Sequence, residues 1–339
     1  MIPKYINSKE CLNLLLKSNQ IVITTHTNPD GDAIGSEMGL YYFLVDIGKN
    51  VVVINDSFTP SNLEFLDPLK KIRVFNYQDD LNFIINSDLI VILDLNVSKR
   101  LKSMEEIITR SKNYKLLIDH HINPSIDANY YFVDTDATST GELIWEIIKK
   151  KVNRNNKNIA ESLYTAIITD TGSFRFPKTD SNILRIAADL LEMGADPVKC
   201  YDMVYNQNSL SAMLIKGEAL ANIKLYFNNQ ISVLKLTKEM FEKTKATIED
   251  TDNLVEYTLF IKDVKLGIFI SYLYDRPEIR VSFRSKKDFL SARELAQIFG
   301  GGGHEQAAGA RLFNVSIDEA ESIILNEVEK KIKYYNLYF

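Results

Sequence analysis

Cysteine is nearly absent: Cys11 and Cys200 are the only two in 339 residues. Two thiols so far apart make neither a disulfide framework nor a thiolate metal site, and such sparing use suits a reducing cytoplasm. Long apolar runs are missing as well. No stretch reaches the roughly 18 consecutive apolar residues of a transmembrane helix. The first residues, Met1-Ile2-Pro3-Lys4, lack the basic and then apolar pattern of a secretion signal. An excess of positive charge is also lacking, with 40 Lys and Arg against 45 Asp and Glu for a net charge of −5. Tight binding of long duplexes rests on many phosphate contacts, so this balance argues against it and leaves room only for a local basic pocket holding a small anion. The expectation is a cytoplasmic protein with no membrane segment. It has no repeats and no low-complexity tail.

What is present is an ordinary globular composition, 45% apolar and 25% charged, in a chain long enough for two domains. Four short runs read as strands buried on both faces: Ile21–Thr25, Val51–Asn55, Leu89–Leu93 and Lys115–Ile118. Helical spacing lies between them, over Ser8–Ser18, Ala33–Ile47, Leu81–Ile85 and Met104–Arg110. Strand and helix in alternation predict a doubly wound, mainly parallel α/β sheet. More helical segments follow, over Ser139–Lys151, Ile159–Thr169, Asn182–Met193 and Val198–Tyr205. Residues 209–225 read as a helical linker. Beyond it the pattern changes to strands at Gln230–Leu236, Val264–Tyr272 and Glu278–Arg284, with a turn at Asp275-Arg276-Pro277 and helices at Ser291–Phe299 and Ile317–Lys331. The expected division is 1–208 for the first domain and 226–339 for a smaller α+β domain.

Chemistry concentrates where the first strands end. The segment 25-THTNPDGDAIGS-36 follows a strand, precedes a helix and carries His26, Asp30 and Asp32 within seven residues. A turn with an Asx cap accounts for one aspartate, but a histidine and two aspartates packed this tightly ask for more. Asp94 follows the strand 89–93, and Asp119, His120 and His121 follow a third strand. Ends of parallel strands share one edge, where open α/β sheets bind their ligands. Asp170 closes the apolar helical run in 165-TAIITDTGSFRF-176, where a carboxylate is partly buried and needs a cation.

His26, Asp30, Asp32, Asp94, His120 and Asp170 put four carboxylates and two imidazoles in one place. That is too much negative charge for a pocket without divalent cations, and too many ligands for one. Two ions sharing a carboxylate, roughly 3.5–4 Å apart, are the usual apparatus of phosphoryl hydrolysis. Mixed histidine and carboxylate ligation suits Mn²⁺, with Mg²⁺, Fe²⁺, Co²⁺ and Zn²⁺ as alternatives. Near the other end, 300-GGGGHEQAAGAR-311 reads as a glycine-rich loop able to offer N–H groups to an anion. Arg284, Lys286, Lys287, Arg293, His304 and Arg311 gather around it as a phosphate-holding or merely solvated basic face.

In order and spacing these motifs resemble the DHH phosphoesterase family with its DHH-associated C-terminal domain. The motifs are His26-Asp30-Asp32, Asp94, Asp119-His120-His121, Asp170 in TDTGSFRF, and Gly301-Gly302-Gly303-His304. The length and the glycine-rich motif are similar to the stand-alone bacterial NrnA-type branch. The resemblance implies an active site in the cleft between the domains. It implies hydrolysis of very short RNA (nanoRNA), dinucleotides such as pApA, and 3′-phosphoadenosine 5′-phosphate (pAp), and it allows a homodimer.

On the resemblance, His26, Asp30 and Asp94 would hold one ion, and Asp32, Asp94, His120 and Asp170 the other, with Asp94 bridging. His121 would face the substrate. Asp119 would orient His120 through its free ring nitrogen. Arg284, Gly301, Gly302, Gly303 and His304 would grip the remote phosphate or nucleotide, and Arg100 would also reach substrate. Thr138, Ser139 and Thr140 read as a plain helix cap. The rivals are a longer-range single-strand exonuclease and a dinucleotide-binding protein without activity.

Overall fold

The computed structural model describes residues 4–251, 253–273 and 278–335, so the start of the chain and the turn expected at 275–277 lie outside the described residues. The chain divides into two compact units, Met1–Gln207 and Asn208–Phe339.

The first unit is built on seven strands: β1 (Lys4–Tyr5), β2 (Gln20–Thr24), β3 (Asn50–Asn55), β4 (Ile72–Val74), β5 (Leu89–Leu93), β6 (Tyr114–Asp119) and β7 (Tyr130–Val133). They pair in the order β1-β7-β6-β5-β2-β3-β4, and every pairing is parallel. Eight α-helices accompany them among the described residues: α1 (Ser8–Lys17), α2 (Gly31–Asp46), α3 (Tyr77–Asn86), α4 (Glu105–Arg110), α5 (Thr140–Ile148), α6 (Lys157–Asp170), α7 (Ser181–Glu192) and α8 (Pro197–Tyr205).

Strand side chains alternate between faces, and both faces here are apolar. Ile21, Ile23, Val91, Leu93, Leu116 and Ile118 join one core with α1, α2 and α5 to α8. Val22, Ile90, Ile92 and Leu117 join the other with Ile84 of α3 and Ile108 of α4. Runs such as 89-LIVIL-93 are therefore apolar at every position rather than at every second one. On the first face, α2 lies hard against α6. A Cβ at Gly35 would sit 2.5 Å from the Ser162 carbonyl oxygen, so only glycine allows this approach. It brings Asp32, early in α2, close to Asp170 at the end of α6.

The second unit contains α9 (Leu210–Ala221), β8 (Lys224–Tyr226), β9 (Ile231–Leu236), α10 (Lys238–Thr244), β10 (Leu266–Tyr272), β11 (Glu278–Ser285), α11 (Ala292–Ile298), β12 (Gly302–Gly303), β13 (Ala307–Phe313) and α12 (Ile317–Tyr334). Its six strands run β12-β13-β11-β10-β9-β8 and are antiparallel except for the β9–β10 pair. Helices α11 and α12 cover one face and α9 and α10 the other. Two expectations are corrected here. The linker at 209–225 is core, because Ile215 and Ala219 of α9 pack on Leu234, Phe241 and Phe269. The glycine-rich run 300–311 is mostly strand, because its backbone pairs with β11 although its side chains are too small to signal a strand.

Candidate metal centre

Strands β6, β5 and β2 are neighbours, so the residues following them meet at one sheet edge. Asp94 comes directly after β5, with its N–H donating to the Ile118 carbonyl at 3.1 Å. Its φ is +55°, in the left-handed region that aspartate and asparagine tolerate better than other side-chain-bearing residues. Holding it there costs on the order of 1–3 kcal/mol, a strain typical of functional positions. Asp30 is the N-cap of α2. Its Oδ1 accepts from the Ala33 N–H at 3.1 Å, while Oδ2 lies 3.9 Å from His26 Nε2. The capping and ligand readings of this residue therefore use different oxygens of one carboxylate.

The six residues converge. His26 Nε2 is 3.5 Å from Asp94 Oδ2. His120 Nε2 is 3.5 Å from Asp94 Oδ1, 3.7 Å from Asp32 Oδ2 and 3.1 Å from Asp170 Oδ2. Asp94 thus turns one oxygen toward each imidazole. Ligand atoms lie within 4.8 Å of one another in the triplets His26, Asp30, Asp94 and Asp32, His120, Asp170, and in a third formed by Asp94, His120 and His121.

Burial makes this arrangement costly by itself. Asp32 is 0% and Asp94 2% exposed. Burial, reinforced by Asp94 and Asp170, holds the Asp32 carboxyl well above the usual carboxylate range. Burial also works against Asp94, but hydrogen bonding from His120 and His26 outweighs it and holds that carboxyl below its ordinary value. His120 is the counterpart: burial alone would lower it, yet Asp170, Asp94 and Asp32 push it up to about 11. Among the described residues no lysine or arginine pairs with any of the four carboxylates. The buried Nδ1 of His120 has no partner. Four carboxylates with hard oxygen donors, two imidazoles and no fixed cation fit divalent ions of the Mn²⁺ or Mg²⁺ kind.

Asp119 does not orient His120. Its Oδ1 lies 2.7 Å from His121 Nδ1 and accepts from the His121 N–H at 3.2 Å. Strand β6 ends at Asp119, and the carboxylate folds forward over the turn onto the backbone N–H two residues on, an Asx-type contact that places it beside the His121 ring. First among the causes, that hydrogen bond raises the His121 pKa. The half-exposed His121 ring keeps its Nε2 side outward from the dyad. The cap reading of 138–140 was incomplete. Ser139 caps α5 by accepting from the Glu142 N–H at 3.1 Å. The Thr140 and Gly141 N–H groups donate to Asp32 at 2.7 and 2.9 Å, Ser36 Oγ donates to it at 3.1 Å, and Thr140 Oγ1 donates to Asp94 at 3.1 Å. Glu37, fully buried behind the centre, accepts from Asn55 Nδ2 at 2.8 Å, and burial pushes it up to about 8. The guanidinium of Arg100 makes no ion pair among the described residues, and its carbonyl accepts from the Thr27 N–H at 2.8 Å.

The second unit has an open groove of about 840 Å³ lined by Arg280, Arg284, Arg311 and the glycines Gly301, Gly302 and Gly303. Arg280 stands opposite Arg311 across the β11–β13 ladder, with the small Ser282 and Gly309 next along the floor. Gly303, at φ +145°, would put a Cβ 2.6 Å from the Ala307 carbonyl oxygen, so the tight hairpin itself requires glycine. His304 is exposed at its turn. The basic face is partly neutralised: Arg284 Nε is bound to Glu256 at 2.8 Å, Arg311 lies 3.1 Å from Glu278, and Arg293 pairs with Glu305.

Comparison with known proteins agrees with this geometry. The DHH family N-terminal domain matches residues 20–167, and the DHHA1 domain matches residues 228–333. The chain is 30% identical to the bifunctional oligoribonuclease and PAP phosphatase NrnA of Thermus thermophilus, over 97% of this chain and 96% of that one. It is 29% identical to the protein of the same name from Bacillus subtilis, over 93% and 96%. A solved exopolyphosphatase-related protein from Bacteroides fragilis superposes with a TM-score of 0.87 at 32% identity, covering 97% of this chain and 96% of that one. With both domains matched in order and the likeness running through nearly its whole length, this chain belongs to the DHH family of phosphoesterases.

Proposed function

We propose that this metal-dependent phosphoesterase uses two ions to hydrolyse very short oligoribonucleotides, dinucleotides such as pApA, and pAp. The observation that carries the reading is Asp94, one oxygen toward His26 and the other toward His120, beside buried Asp32 and with no lysine or arginine paired to these carboxylates among the described residues. The likeness to relatives named oligoribonuclease and PAP phosphatase supports the substrate class. His26, Asp30 and Asp94 would hold one ion, and Asp32, Asp94, His120 and Asp170 the other, with Mn²⁺ the best match to the donor set. When bound, the ions supply positive charge to the phosphoryl oxygens and make water a better nucleophile at neutral pH.

The chain's own groups do the rest. The Thr140 and Gly141 N–H groups and Ser36 hold Asp32 in place, so little reorganisation accompanies the reaction. The hydrogen bond to Asp119 raises the His121 pKa, which suits that ring to giving a proton to the leaving oxygen. Arg280 and Arg284, with the Gly301–Gly303 hairpin and His304, bind the phosphate or nucleotide remote from the scissile bond, and Arg100 adds a cation in the first unit. A remote grip of this kind sets a length limit. It lets an acidic chain use RNA by touching few phosphates. The protein works on soluble cytoplasmic nucleotides, as a monomer or a homodimer.

The test compares rates with Mn²⁺ on pAp, pApA, an RNA pentanucleotide and a long single strand, alongside a metal count of the purified protein. Turnover confined to the short species supports the reading. Processive loss of the long strand sinks it in favour of a general exonuclease, and tight dinucleotide binding without any product sinks it in favour of a sensor.

A further inference from the structure

We infer that Thr140 is a positioning residue that fixes the rotation of the Asp94 carboxylate, and that α5 holds the two buried aspartates of the centre separably, Asp32 through backbone N–H groups and Asp94 through the Thr140 hydroxyl. The inference rests on the two-ion reading of the same centre.

Thr140 is fully buried at the first position of α5. Its hydroxyl is not needed for capping, because Ser139 already accepts from the Glu142 N–H. Threonine inside a helix commonly returns its hydroxyl to a carbonyl four residues earlier. At the first turn no helical carbonyl lies behind it, and the Oγ1 donates to Asp94 Oδ1 at 3.1 Å instead. The other neighbours of that carboxylate stand farther off: His120 Nε2 and His121 Nδ1 are each 3.5 Å from Oδ1, and His26 Nε2 is 3.5 Å from Oδ2.

A shared carboxylate works only if its two oxygens stay aimed at two different places. The Asp94 backbone, in its left-handed conformation, sets where the side chain starts, but torsion about its last bond is soft. One donor on Oδ1 removes that freedom and leaves the opposite lone pairs of both oxygens available. Partners of this kind, which hold a ligand without touching the metal, typically change affinity ~10–100-fold when removed. The backbone N–H of the same residue does a different job, donating to Asp32 Oδ2 at 2.7 Å. Side chain and main chain of one residue therefore address the two carboxylates independently.

Thr140→Val separates these contacts. It keeps the shape and the N–H to Asp32 and removes only the hydroxyl on Asp94. Thr140→Ser restores the hydroxyl. Mn²⁺ binding to the full-length wild type and both variants, by calorimetry and by electron spin resonance of free Mn²⁺, gives a readout independent of turnover. The expected result is ~10-fold or greater weakening in Thr140→Val, recovery to within ~3-fold in Thr140→Ser, and an unchanged KM for pApA at saturating Mn²⁺. A folded Thr140→Val protein with wild-type stoichiometry and affinity overturns the inference. Should that variant fail to fold, Thr140→Ala carries the same comparison. Two Mn²⁺ bound by a wild type that cleaves no short nucleotide overturns the substrate reading while the variants still decide the role of Thr140. A wild type that binds no Mn²⁺ overturns both.

Discussion

In the first unit, Asp32 and Asp94 are buried with no lysine or arginine beside them, whereas in the second the guanidiniums of Arg284, Arg293 and Arg311 stand at the surface, each tied to a glutamate. Burying carboxylates is expensive even when they are hydrogen-bonded. Surface ion pairs contribute little and rearrange readily. Under the proposed function the two places do different work: the sheet edge would receive cations and carry the chemical step, and the hairpin groove would hold anions and carry affinity.

That division breaks most sharply at Asp94. Asparagine also tolerates the left-handed backbone but offers one carboxyl-type oxygen rather than two. Asp94→Asn is expected to lower kcat on pApA by ~10²–10³-fold or more, the scale seen when a preorganised charge-stabilising group is lost. Its melting curve should remain cooperative. A change confined to KM would erase the proposed difference between the units. Next in size is metal removal. A chelator should abolish turnover, and Mn²⁺ at a hundredfold excess over its Kd should stabilise the folded chain by ~2.7 kcal/mol, read as a rise in Tm. An unmoved Tm would mean that the carboxylates are satisfied without ions. Smaller is Arg284→Ala in the groove, expected to raise KM for pApA ~10-fold, about 1.4 kcal/mol, with kcat nearly unchanged. A collapse of kcat there would place chemistry where only binding is expected.

Burial in the first unit is tested separately, by pH. Burial raises Glu37 from its ordinary value of 4.5 to about 8, so its contribution to stability is fully present below 4.5 and is lost as pH rises through about 8. The wild-type Tm should fall over that window. Glu37→Gln, which keeps the contact with Asn55, should flatten the fall. Parallel pH profiles for the two proteins would show that Glu37 is not the titrating group.

All four histidines of the chain fall in the motifs singled out from sequence, and the residues proposed as ligands could be picked out because all but Asp170, which ends α6, sit in short runs just past strands. Parallel pairing then dictates that those ends share an edge, whatever the details. The rest was less legible for physical reasons. Asp119 was assigned to His120, although a turn just past β6 brings its carboxylate onto the backbone N–H and ring of His121. Strand β13, in 307-AAGARLF-313, has no β-branched residue and owes its conformation to its neighbours β11 and β12. The Thr140–Asp94 contact spans 46 residues of sequence and leaves no local pattern. Asp30 was readable in two ways, as cap and as proposed ligand, and its two oxygens have different neighbours: Oδ1 accepts from the Ala33 N–H and Oδ2 faces the His26 ring.

The Arg284–Glu256 pair makes occupancy of the groove an exchange. In the proposed phosphate-holding role, an incoming phosphate would compete with Glu256 for the Arg284 Nε, which holds that carboxylate at 2.8 Å. The protein thus carries its own competitor, tethered at high effective concentration. Such a competitor makes each capture weaker and each release faster. If the substrates are the fragments of a few nucleotides proposed above, fast release is an advantage, because each product must leave before the next substrate can bind.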